Sequence, residues 1–195
     1  MAEEVFGFDE GTQESKDFNY IVVTKSENAI QSDIFYKDFV VGKWEDGSPY
    51  FEVTVQNKTG QTCTGRYSLP KANPAKKNDD PKGKILATLK NFTTKVLGDK
   101  VKMEGKSLED LFEKTATAIK AKAGWDKINL TAVFINDDKG FTKLRKFSPI
   151  VELTSDKEAI TKLQLAPFEI SSFQTKQTPS QETSTENAGA SADIF

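Results

Sequence analysis

Eleven side chains combine aromatic rings with positive charge at close spacing. Tyr36, Lys37, Lys43, Trp44, Tyr50, Arg66 and Tyr67 lie between residues 36 and 67, and Phe141, Lys143, Arg145 and Phe147 alternate along a second short stretch. Aromatic faces stack on nucleobases with little regard to sequence, and Lys and Arg neutralise phosphates. The combination predicts a platform for a single-stranded nucleic acid. Two plainer readings fit the same residues: a β-meander whose aromatics are core or cross-strand pairs, and at 141–147 an edge strand guarded by charge.

Composition removes most other chemistry. The chain has no His and one Cys, Cys63, which excludes Ser-His-Asp and Cys-His nucleophiles, the usual Cys/His zinc sites and an internal disulfide. Carboxylate-plus-metal chemistry survives in principle. Glu104-Gly105-Lys106 together with Asp79 and Asp80 loosely matches the acids and the Glu-x-Lys of Mg²⁺ nucleases, but such sites need adjacent strands, and here a loop and a helix connection carry the residues. Asp137-Asp138 and Glu109-Asp110-Glu113 read more simply as a turn and a helix N-terminus. The expectation is a non-catalytic protein with no metal and no cofactor.

The elements that must position these side chains follow from periodicity. Phe35–Trp44, Tyr50–Gln56 and Gln61–Leu69 read as three strands joined at Glu45-Asp46-Gly47-Ser48-Pro49 and Asn57-Lys58-Thr59-Gly60. In the second strand Phe51, Val53 and Val55 share one face. Residues 18–24 read as an earlier strand, with 26–32 a polar connection. After Pro70, residues 71–84 hold five Lys, two Pro and a Gly, the composition of an exposed basic loop. Ile85, Leu86, Leu89, Phe92, Val96 and Leu97 recur at helical spacing up to Gly98, and a second helix starts at the Ser107 cap, with Leu108, Leu111, Phe112, Thr115, Ala118 and Ile119 on its apolar face. A strand at 127–135, a turn at 136–140 and a returning strand at 141–147 follow, with short strand candidates at 150–153 and 160–165.

Charge and polarity mark the ends. Residues 1–16 carry five acids and one Lys, and residues 174–195 three acids and one Lys, so the 17–173 body has a net charge of +4 within a chain of −2. A basic body between acidic ends suits a polyanion ligand. Residues 1–16 read as a flexible acidic arm, 17–173 as one domain with a helical insertion at about 81–124, and 174–195 as a disordered tail. No apolar run approaches a membrane span, the N-terminus has no signal-peptide pattern, and a single Cys fits a reducing compartment. These features predict a soluble, cytoplasmic protein without membrane contact.

The tail ends in Asp193-Ile194-Phe195, an acid, two apolar side chains and a terminal carboxylate in one compact ligand. In this the chain resembles bacterial single-stranded DNA-binding proteins, whose flexible tails end in an acidic, apolar tip that recruits replication, repair and recombination proteins. This tip has one acid where that family has several, and no Pro precedes the final Phe. The body is similar to small bacteriophage single-stranded DNA-binding proteins of the OB fold, including those of phages infecting Bacteroides. Ile34-Phe35-Tyr36-Lys37-Asp38-Phe39, Arg66-Tyr67, and Asp138-Lys139-Gly140-Phe141 running to Arg145-Lys146-Phe147-Ser148-Pro149 carry that similarity.

The expected fold is thus α+β, an OB-like small β-barrel of antiparallel strands with a helical insertion and a disordered C-terminal tail. The resemblance implies a protein that coats single-stranded DNA, recruits partners through its tip, occupies the host cytoplasm if phage-encoded, and is open to self-association. A phage structural or protein-interaction module and a Mg²⁺ nuclease are the alternatives.

Overall fold

A computed structural model describes residues 19–75, 77 and 79–173. The acidic arm and the tail with its Asp193-Ile194-Phe195 tip lie outside the described residues. The architecture is α+β. Strands β1 (Ile30–Lys43), β2 (Pro49–Asn57) and β3 (Thr62–Tyr67) form an antiparallel meander, helices α1 (Pro81–Leu97) and α2 (Leu108–Ala121) follow, and β4 (Leu130–Asn136) and β5 (Thr142–Leu144) make a hairpin. Strand β6 (Val151–Leu153) and two short helices, α3 (Lys157–Thr161) and α4 (Pro167–Ser171), complete the described chain.

Strand β1 organises the sheet because it is long enough to serve two neighbours. Ile30 and Gln31 pair with Val133 and Ala132 of β4, while Ile34 to Lys43 pair with β2. Between these halves the register shifts at Gln31/Ile34, and Asp33 takes a left-handed φ of 60°. The strand bends there, as strands do at bulges that curl a sheet into a barrel. The hydrogen-bonded order is β3-β2-β1-β4-β5.

The two ends of that order, β3 and β5, meet across a seam. Tyr67 donates its hydroxyl to the Arg145 carbonyl at 3.0 Å, and Cys63 Sγ approaches the Thr142 carbonyl at 3.5 Å. Gly65 faces Leu144 so closely that an added Cβ would lie 2.9 Å from the Leu144 Cβ. Residues 19–23 insert at one end of the seam: Ile21 N–H donates to the Thr62 carbonyl and Thr62 N–H to the Asn19 carbonyl, both at 2.9 Å, while Val23 N–H donates to Thr142 Oγ1 at 2.9 Å. The result is a nearly closed barrel with its helical insertion between the third and fourth strands, an OB-like fold.

The insertion plugs the barrel. Phe112 of α2 packs on Phe51 at 5.7 Å between ring centroids, and Phe92 of α1 lies 5.2 Å from Tyr67 and 6.4 Å from Tyr36. Phe51, Phe92, Phe112, Phe39, Phe134 and Tyr36 are all fully buried; full burial of a Phe stabilises by about 1.5–3 kcal/mol. The Gly98 stop and the Ser107 cap follow the sequence signals, while α1 starts at Pro81, inside the expected 71–84 loop. Asp80 accepts from Gly83 N–H at the start of α1, Ser107 accepts from Asp110 N–H at the start of α2, and Gly98 ends α1. Asn91 locks α1 to the sheet edge, accepting from Ile150 and Val151 N–H at 2.9 and 3.0 Å and donating to the Val151 carbonyl at 3.0 Å. Lys95 and Glu152 form an ion pair beside it.

Two expected strands differ. Of the expected 18–24 strand, the described residues supply one parallel bridge, Tyr20 to Thr62, because the segment divides its backbone bonds between Thr62 of β3 and Thr142 of β5. Residues 160–165 carry no strand; α3 covers 157–161 instead, started by Asp156, whose carboxylate accepts from Ala159 N–H at 2.9 Å. Strand β5 is also shorter than its apolar and basic alternation suggests, ending at Leu144. Among the described residues no helix is long and apolar enough to cross a membrane.

Candidate functional site

The outer face of β2 and β3 carries the densest grouping of the expected side chains. On β2, Tyr50, Glu52, Thr54 and Gln56 alternate with the buried Phe51, Val53 and Val55. On β3, Arg66 stands outside between the buried Gly65 and Tyr67. Glu52 pairs with Arg66 across the ladder, and the Arg66 Nε–H donates to the Glu52 carboxylate. That carboxylate favours the charged guanidinium and raises its pKa further.

Two rings flank this guanidinium. Its carbon lies 5.0 Å from the Tyr50 ring centroid and 5.8 Å from that of Trp44, inside cation–π range. Trp44 and Tyr50 are 4.9 Å apart and tilted by 53°. Tyr50 can lie flat on the sheet because its cross-strand partner is Gly42: an added Cβ there would sit 2.4 Å from the ring. Trp44 keeps 40% of its surface exposed, so a ring face remains available.

Around this cluster opens a groove of about 320 Å³, walled by Trp44, Arg66, Lys84, Lys146 and Phe147 among others. Phe147 is 42% exposed, and Lys146 is exposed with no ion pair among the described residues. Lys84 is held by Asp79. Farther along β3 a second groove of about 680 Å³ is lined by Tyr20, Val22, Thr62, Thr64, Phe141 and Lys143. Phe141 is 61% exposed. Arg66 and Ser68 border the first groove and Thr62 and Thr64 the second, so the two follow one strand end to end. The span from Thr62 to Ser68 is about 20 Å at strand rise.

Three expected contacts must be corrected. Tyr36 is fully buried because Lys37 forms a bulge: pairing runs Tyr36 to Val55 before it and Asp38 to Thr54 after it, so Tyr36 joins the inward face. Its hydroxyl has no partner among the described residues, and burial pushes its pKa up. Tyr67 is also in the core, opposite Phe51, and burial again raises its pKa. Neither ring is available for stacking.

Arg145 is the third. Its guanidinium makes a two-pronged pair with Glu169 of α4, both contacts at 2.7 Å, and donates to the Pro149 and Gln164 carbonyls at 3.1 and 3.0 Å. Only 11% of the Arg145 side chain and 4% of Glu169 are exposed. It clasps the C-terminal helices to the barrel.

The remaining expected residues are on the surface but dispersed. Lys37 projects from the bulge, exposed, while Lys43 turns toward α2 and pairs with Glu109 at 2.9 Å. The grouped residues are therefore Trp44, Tyr50, Arg66 and Phe147 at one groove and Phe141 and Lys143 at the other. Sequence reasoning passed over Gly42, Lys146, Tyr20 and Val22. Lys146 adjoins Phe147, and Tyr20 and Val22 alternate with the buried Ile21 and Val23, a readable period-two signal.

Asp79 and Asp80, two of the acids that could serve metal chemistry, are occupied otherwise. Asp80 caps α1, and Asp79 accepts from Asn73 N–H at 2.7 Å and from Lys84. Among the described residues no group of three or more His, Cys, Asp or Glu is arranged to hold a metal ion. No family model matches the sequence, and no curated protein matches it.

Proposed function

We propose that the protein binds single-stranded DNA without catalysis, as a phage-type OB-fold coating protein. The observation that carries this reading is the Trp44–Tyr50–Arg66 cluster on the outer β2–β3 face, with Phe147 and Lys146 across the groove. Oligonucleotides bind OB folds on the strand 2–3 face and between the loops joining strands 1–2 and 4–5. Trp44 begins the first of those loops and Phe141 ends the second, so exposed rings stand at both ends of the track. Bases stack on Trp44, Phe147 and Phe141, while Arg66, Lys143 and Lys146 meet phosphates. The Asp193-Ile194-Phe195 tip recruits replication or recombination proteins.

A protein partner on the same face is the second reading, favoured by one observation. Arg66 and Lys84 already have carboxylate partners, Glu52 and Asp79, which reduces the positive potential offered to phosphates. Fluorescence anisotropy with labelled oligo-dT at two salt concentrations separates the readings. The DNA reading expects saturable binding that weakens as salt rises; absence of binding at low salt removes it. Cleavage of the oligonucleotide dependent on Mg²⁺ would instead revive a nuclease.

A further inference from the structure

The 680 Å³ groove at the β3–β5 seam has an apolar character that a phosphate track alone does not need. Tyr20, Val22 and Phe141 expose 63%, 65% and 61% of their surface there, with Lys143 beside them. Its volume falls in the range of ligand pockets and accommodates two aromatic side chains. One wall, residues 20–22, continues directly into the acidic arm. That arm holds Val5-Phe6-Gly7-Phe8, with Glu3 and Glu4 before it and Asp9 and Glu10 after it. Lys143 is exposed and makes no ion pair among the described residues.

We propose that this groove is the seat of the chain's own N-terminal arm, with Phe6 and Phe8 on the apolar wall and the flanking carboxylates facing Lys143. Three considerations select this occupant. Apart from Met1 and Ala2, the apolar residues of the arm are confined to one compact cluster, Val5, Phe6 and Phe8. The acids on both sides of that cluster complement the cation of the groove. The eleven-residue step from Phe8 to Asn19 reaches at most about 40 Å, ample for a segment that must only double back on the strand it enters, with Gly11 free to make the reversal. Tethering gives the arm an effective concentration on the order of millimolar, so a weak contact is populated. A second consequence rests on the DNA-binding reading: the seated arm covers Phe141 and Lys143 and competes with nucleic acid for that end of the track.

The test compares the full chain with Phe6→Ser/Phe8→Ser, which keeps length and charge. Carbodiimide coupling of the parent, mapped by mass spectrometry, is expected to join Lys143 to Glu3, Glu4, Asp9 or Glu10, and the double variant to lose that link. Amide exchange at 20–23, 62–64 and 140–143 is expected to be about tenfold faster in the variant, with exchange in β2 unchanged as the control for folding. If β2 exchange also changes, deletion of residues 1–16 replaces the double variant. Equal exchange at the seam overturns the proposal, as does a link from Lys143 to Asp193 or the terminal carboxylate, which gives the groove to the tail. Links between ¹⁵N-labelled and unlabelled chains overturn it in favour of a second copy. Neither readout uses DNA, so docking stands or falls by itself. The competition is read separately, as oligo-dT binding about threefold tighter in the variant at low salt; equal affinity refutes competition, and no binding by either protein refutes the DNA reading.

Discussion

Replacing Arg145 by Ala separates a clasp from a phosphate contact. The substitution leaves the Glu169 carboxylate, 4% exposed, with one remaining donor, the Ala166 N–H at 2.8 Å. It also strips the Pro149 and Gln164 carbonyls of their donor. Removing one member of a buried pair costs about 3–5 kcal/mol. For a domain of this size each kcal/mol shifts the melting temperature by about 2–4 °C, so Arg145→Ala is expected to melt roughly 6–20 °C below the parent. Glu169→Gln should lose less, since an amide oxygen still accepts from Arg145. The pair Arg145→Met/Glu169→Leu should recover a large part of the loss, because the uncompensated charge is gone. Circular dichroism melts of the four proteins, followed by oligo-dT titration at a temperature where all are folded, provide the assay. A melt of Arg145→Ala within about 1 °C of the parent, coupled with a salt slope reduced by one phosphate contact, would refute the clasp and restore Arg145 to the binding surface.

Other expectations are simpler to state. Trp44→Ala should weaken oligo-dT binding about 5- to 150-fold, the equivalent of about 1–3 kcal/mol of stacking, with the melting temperature nearly unchanged; an equal affinity in anisotropy titration would remove Trp44 from the site. Gly42→Ala forces the Tyr50 ring off the sheet, since the new Cβ would sit 2.4 Å from it; the ring can swing outward, so binding should fall about tenfold while stability changes by less than about 1 kcal/mol. Burial pushes the Cys63 thiol up to about 12, so the folded protein keeps the proton longer than the unfolded chain. Stability should therefore fall as pH rises from about 9 toward about 12, and the buried Tyr36 and Tyr67 phenols add to that alkaline loss. Urea titrations at pH 7 and 10 check the sign: a higher midpoint at pH 10 would contradict it.

The two long helices and the turns were legible because each is specified locally. The apolar spacing of α1 and α2, the Ser107 cap and the Gly98 stop predict elements that the structure contains. The OB-like order of elements was legible too. Which face each strand buries was less so, and Tyr36 shows why. Continuing the Phe39-to-Val53 register without interruption would set Tyr36 opposite Gln56, on the outer face. The single extra residue at Lys37 turns it inward, and nothing in the local sequence announces that bulge. Tyr67 was within reach of the sequence: a hairpin closing between Asn57 and Gln61 sets Phe51 opposite Tyr67, on the inward side. Arg145 depended on a partner 24 residues away, in a short helix that the 160–173 stretch does not advertise. The Trp44–Tyr50–Arg66 grouping was readable in composition, but its geometry depends on Gly42, a residue that carries no chemistry.

The seam between β3 and β5 also bears on the order in which the chain is made. Tyr67 and Arg145, joined across it, are 78 residues apart, so a ribosome releases the whole meander several seconds before its closing strand, at about 5–20 residues per second. During that interval the free edge of β3 would invite pairing with other chains. Residues 19–21 are already synthesised by then, and their backbone exchanges hydrogen bonds with Thr62 on that edge. The entering segment is thus placed to cover that edge at Thr62 before β5 exists, and it stays there in the finished barrel.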